Sequence, residues 1–130
     1  MLPLRFPWLW LLLGWGLVAG VIYGSVTSNG IVRAMPIADD IEHACSYGLL
    51  MIWFAGLYAR NRTGWIAVVV LTLGLVLEII QSQLSYRTFD PSDLLANALG
   101  VTVGFMLSFW VLAGWCLSLE TRIFSRNAGR

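Results

Sequence analysis

Lysine is absent from this 130-residue chain, histidine occurs once, and charged residues make up only 12% of it. A water-soluble domain carries about 25% charged residues, so this composition excludes an ordinary hydrated surface. The formal net charge is +1, and without a concentrated basic patch nucleic-acid binding is excluded. The two cysteines form no CxxC or Cys/His motif, which removes the common structural zinc signatures. A convincing nucleophile, a phosphate-binding glycine loop and a second histidine are lacking as well.

Apolar residues, at 58%, are what the chain has in quantity. They gather in four blocks, at about residues 8–26, 41–59, 65–81 and 94–119, and a membrane helix needs about 20. The expected fold is therefore all-α and integral to a membrane: a single-domain, four-helix transmembrane bundle, multi-pass in the lipid bilayer, with a basic cytoplasmic tail at 120–130. Arg5 precedes the first block as it would in a signal peptide. However, Gly16, Gly20 and Gly24 form a smooth helical stripe there, which favours a retained packing helix and leaves room for a homodimer. Cys45 and Cys116 fall in opposite leaflets, too far apart for a disulfide, whose Cα atoms lie within about 7 Å; both read as packing residues.

Arginine placement sets the expected orientation. Arg5, Arg60, Arg62, Arg122, Arg126 and Arg130 fall on one side of these spans, against Arg33 and Arg87 on the other. The positive-inside bias puts both ends in the cytoplasm and the two longer polar loops outside. Trp8, Trp10, Trp65 and Trp115 fall near the interfaces, where indole rings anchor helices.

Helical spacing sorts the polar residues. Asp39 with Glu42, and Asp90 with Pro91 and Asp93, read as caps at the starts of the second and fourth helices. Asp40, His43 and Tyr47 share one face of the second helix, Gly74, Glu78 and Gln81 one face of the third, and Asp93, Asn97, Gly100 and Gly104 one face of the fourth. Three polar stripes thus converge at one membrane depth. An acidic residue at the centre of a membrane helix costs about 2.5–3.5 kcal/mol, and such residues usually face the bundle interior and mark functional sites. Glu78 is the sharpest case, because the segment from Ile66 to Leu77 runs almost unbroken and apolar into it. Blander readings stand beside each: a snorkelling Glu78, a satisfied interfacial His43, and an Asn97 that only links helices. Arg87 suits a phosphate or a carboxylate, and an internal pair with Glu78 or Asp93 ranks first.

Taken together, these residues resemble the VanZ-like family of small bacterial membrane proteins. The resemblance rests on Asp39-Asp40-Ile41-Glu42-His43 through Tyr47, on Glu78-Ile79-Ile80-Gln81, and on Arg87-Thr88-Phe89-Asp90-Pro91-Ser92-Asp93 through Asn97, Gly100 and Gly104. Asp40 stands where the family usually has lysine. The resemblance implies a four-helix protein of the bacterial cytoplasmic (inner) membrane and cell envelope, with a link to resistance to the glycopeptide antibiotic teicoplanin. An outward-facing site agrees with that link, since glycopeptides act on cell-wall precursors outside the membrane.

Two functional readings follow. In the first, His43, Tyr47, Glu78, Gln81, Arg87, Asp93 and Asn97 form a pocket for a lipid-linked cell-wall precursor, a glycolipid headgroup or a partner protein. In the second, His43 is a general base, Glu78 or Asp93 tunes it or serves as acid, and Arg87 stabilises phosphate charge. Neither calls for a cofactor or a resident metal, although a His43/Glu78/Asp93 metal site is geometrically conceivable. A transporter would need the chain to dimerise.

Overall fold

The computed structural model describes residues 1–26, 36–84 and 89–125. Among them are five α-helices: α1 (Pro7–Val26), α2 (Pro36–Leu57), α3 (Thr63–Ser82), α4 (Pro91–Trp110) and α5 (Trp115–Ser125), with a 3-10 turn at Arg60–Arg62 between α2 and α3. No strand occurs among the described residues. Three helical stretches, Pro7–Val26, Arg60–Ser82 and Pro91–Trp110, are long and apolar enough to cross a membrane. At about 1.5 Å per residue, the 22 residues of α2 have the length to do so too, but this helix carries the polar residues of the site.

The α2 helix is also the most enclosed. Tyr47, Leu50, Met51 and Leu57 are almost wholly buried, while Trp8, Trp15, Trp65, Val69, Leu95 and Trp110 on the other helices face outward. That inversion, with large apolar side chains outside and polar ones within, suits a lipid surround. The α2–α4 contact is made backbone to backbone. A methyl group on Gly104 would stand 2.7 Å from the Gly48 carbonyl oxygen, and one on Gly100 would overlap the carbonyl of Ala44. Only glycine permits this approach, as at small-residue interfaces between membrane helices.

The fourth apolar block is two helices and not one. The α4 helix ends at Trp110, and Gly114 adopts φ +67° before α5 begins. A left-handed residue ends a helix cheaply only when it is glycine. With 11 residues, α5 is too short to cross a bilayer, and it docks on the end of α2. Gly56 leaves the notch for this: the Trp115 indole lies over it and donates from Nε1 to the Ile52 carbonyl at 3.1 Å. Residues 120–125, expected in a tail, belong to α5, while 126–130 lie outside the described residues.

Three smaller expectations change. Cys45 is exposed, so only the buried Cys116 serves packing. Trp10 and Trp115, expected as interface anchors, are half-buried and form a cluster with Trp53, at centroid distances of 5.5–5.6 Å. Among the described residues, nothing lies within 4 Å of a methyl built on Gly16 or Gly20 of the α1 glycine stripe, and only Glu42 approaches one on Gly24.

Candidate functional site

The polar residues meet at one end of the helices. Asp90 caps α4, its side chain accepting from the Ser92 N–H at 2.9 Å, and Pro91 occupies the first turn. That cap directs the first turn of α4 inward, so that Asp93 and Asn97 are both buried. The second helix starts earlier than its capping signal suggests. It begins at Pro36, which puts Asp39 inside the first turn, one helical turn before His43, as a helical residue and not as the N-cap. Asp39, one turn before His43, thus joins the His43 face: its Oδ1 lies 3.9 Å from His43 Nε2.

His43 is the hub. Its Nδ1 lies 3.0 Å from Asn97 Oδ1, and its Nε2 lies 3.7 Å from Asp93 Oδ2. Its ring is nearly parallel to that of Tyr47. On α3, Glu78 and Gln81 are each 1% exposed. Glu78 Oε1 accepts the Asp90 backbone N–H at 2.9 Å, tying α3 to the start of α4. Gln81 reaches the other way, donating to the Ser25 carbonyl at the end of α1 at 2.8 Å. Gly74 is the space that admits the cluster: a methyl there would stand 3.0 Å from both Asn97 Nδ2 and the Tyr47 ring.

Among the described residues, Tyr47 Oη, Glu78 Oε2 and Asn97 Nδ2 are buried without a hydrogen-bond partner. An unsatisfied buried polar group costs about 1–3 kcal/mol, so these atoms call for water or a ligand. A groove of about 270 Å³ opens beside them between α1 and α2, with Gly16, Gly20 and Gly24 along one wall and Asp39, Glu42 and His43 at its polar end. A larger groove of about 430 Å³, between Trp15, Phe54, Trp65 and Val69, is nearly all apolar. Asp39, His43 and Asp93 each present one ligand atom, and these atoms lie within 4.8 Å of one another.

Six of the seven residues expected in the pocket are thus placed on the three converging helix faces, and all six are buried. Arg87 lies outside the described residues, so its expected pairing does too. Asp39 and Ser25 were not foreseen as site residues. The helix start at Pro36 was the missing signal for Asp39; Ser25 takes part through its backbone, which no side-chain pattern reveals.

The VanZ/LLP1 family model matches residues 9–113. The chain belongs to the VanZ/LLP1 family. The match takes in α1 through α4, and so every site residue named above. An uncharacterized protein of Schizosaccharomyces pombe is 35% identical over 78 residues, covering 57% of this chain and 48% of the yeast protein. The chain thus spans about half the length of that curated relative. No solved structure matches.

The opposite end of the helices is basic and separately closed. Glu120 on α5 accepts from the Arg5 N–H at 2.6 Å, the Phe6 N–H at 3.1 Å and the Trp10 indole at 2.8 Å. It therefore sits at the start of α1 as a borrowed cap, where a negative charge is favoured. Burial pulls its carboxyl upward, but these three donors and the Arg5 charge outweigh burial and hold it below the usual carboxylate range. The guanidinium of Arg60 lies 3.9 Å above the Phe109 ring.

Proposed function

We propose that this VanZ/LLP1 member is a four-helix protein of the cell-envelope membrane that binds a lipid-linked or glycolipid headgroup at the outer face. The observation carrying this is the groove between α1 and α2. Its glycine wall is bare enough to take an acyl or polyprenyl chain, and its polar end reaches His43, which in turn contacts Asp93 and Asn97. Carboxylates prevail there, so the described part of the site suits a headgroup rich in hydroxyl or amino donors. The charge asymmetry supports the outward orientation: Arg5, Arg60, Arg62 and Arg122 lie at the far end of the helices. Binding such a precursor would be the route by which the protein contributes to glycopeptide resistance.

The test is lipid retention. Wild-type protein purified in mild detergent should carry a lipid identifiable by mass spectrometry, and Gly20→Leu, which fills the groove wall, should lose it while staying folded. Equal retention by Gly20→Leu would sink this reading.

A second reading, acid–base chemistry on the headgroup, is favoured by one detail. Asn97 orients the His43 ring while its other nitrogen faces the two aspartates, which is how a general base is held. In that case His43→Ala would abolish turnover of the bound lipid without releasing it.

A further inference from the structure

We propose that the apolar groove between α1 and α3 holds one anionic phospholipid of the leaflet at the basic end, its phosphate on Arg62 and an acyl chain along the groove. This groove of about 430 Å³ opens on the opposite side of α1 from the glycine wall. The proposal therefore does not rest on the headgroup reading.

The length of the groove matches one leaflet. Arg62, Ile66, Val69 and Leu73 line it from α3, and Phe54 and Tyr58 from α2. From Arg62 to Leu73 that wall rises about 16 Å, at about 1.5 Å per residue. Half of a hydrocarbon core of about 30 Å is about 15 Å, so a chain whose headgroup sits at Arg62 runs the full length of the groove. Trp65, 68% exposed, stands beside Arg62 at the level where indole rings meet headgroups. A second protein helix fits less well. Membrane helices approach closely at small residues, and glycine, alanine, serine and threonine are all missing from the lining.

Charge sets the class of lipid. Of the seven acidic residues in the chain, only Glu120 belongs to the basic end, and the start of α1 takes it up. The α3 helix has no acid in its first turn and no side-chain cap, although Arg60 and Arg62 stand immediately before it. Two cations at the positive end of a helix dipole are in conflict with it, and an anion there relieves both. The two arginines also part ways. Arg60 lies over the Phe109 ring of α4. Arg62 lines the groove, and its guanidinium has no partner among the described residues. A guanidinium fork matches phosphate oxygens, and anionic lipids draw basic residues at a membrane surface.

Native mass spectrometry provides the test. The full chain is delipidated in mild detergent and offered phosphatidylglycerol and phosphatidylcholine with the same acyl chains. Wild type should retain one phosphatidylglycerol per chain in preference to phosphatidylcholine. Arg62→Gln should lower that preference about fivefold, the effect of one basic contact to an anionic lipid, while Arg60→Gln should keep it. Val69→Trp, at an exposed position, fills the groove and should lower retention of both lipids. Gly20→Leu, in the other groove, should keep the preference, so this proposal and the headgroup reading can fail separately. Equal retention of the two lipids by wild type would overturn the proposal, as would an undiminished preference in Arg62→Gln. A wild-type dimer that Val69→Trp dissociates would assign the groove to a second copy and overturn it too. The wild-type preference decides even if a variant misfolds.

Discussion

Gly100 lies directly beneath the carbonyl of Ala44, and the two helices that carry the site touch there through bare backbone. Gly100→Ala should push α4 away from α2 and cost about 2 kcal/mol or more, as overpacking does. Gly16→Ala, which meets nothing within 4 Å, should change stability by less than about 1 kcal/mol. Thermal unfolding in detergent checks both, and equal effects would show that the α2–α4 contact is looser than described.

Glu120 makes the second expectation. Glu120→Ala removes the acceptor for three donors and should cost about 2–3 kcal/mol, freeing α5 from α1. Because the folded carboxyl is held low, its contribution is complete above the ordinary carboxylate range. It fades as pH falls through the lowered folded value. Wild type should thus lose stability in acid more steeply than Glu120→Gln, and parallel pH curves would refute the cap.

Glu78 makes a third. The Asp90 N–H depends on its Oε1, so Glu78→Ala should cost about 1–3 kcal/mol. Glu78→Gln keeps an acceptor at nearly the same volume, and should be close to neutral. Hydrogen exchange at the Asp90 amide reports the bond directly: fast in Glu78→Ala and slow in Glu78→Gln.

A fourth concerns Gly56. Gly56→Val should drive the Trp115 indole off the Ile52 carbonyl. Tryptophan fluorescence should shift as the Trp10–Trp53–Trp115 cluster opens. The polar end, on the far side of the helices, should keep its lipid uptake.

Much of the site was legible in the sequence, for a physical reason. His43, Glu78, Gln81, Asp93 and Asn97 interrupt apolar stretches, and helical periodicity alone assigns each to a face. The Asp90–Pro91 start was legible for the same kind of reason, since a cap is a local signal. Asp39 was read as a cap because its own signal is identical to one. The start of α2 at Pro36 makes it a helical residue one turn before His43, with its Oδ1 3.9 Å from the ring nitrogen. The break at Gly114 escaped because the chain stays apolar through 110–117, and hydropathy cannot register a left-handed residue. Glu120 escaped because its partners are more than a hundred residues away.

The backbone contact of Gly48 and Gly104 sets the register of the site as a gauge block sets a gap. No rotamer intervenes between the helix bearing His43 and the one bearing Asp93. Lipid-facing side chains can therefore vary widely while the spacing between those two residues stays the same. Any enlargement at the glycines, however, would change that spacing at once, only one to two helical turns from where the change would be felt.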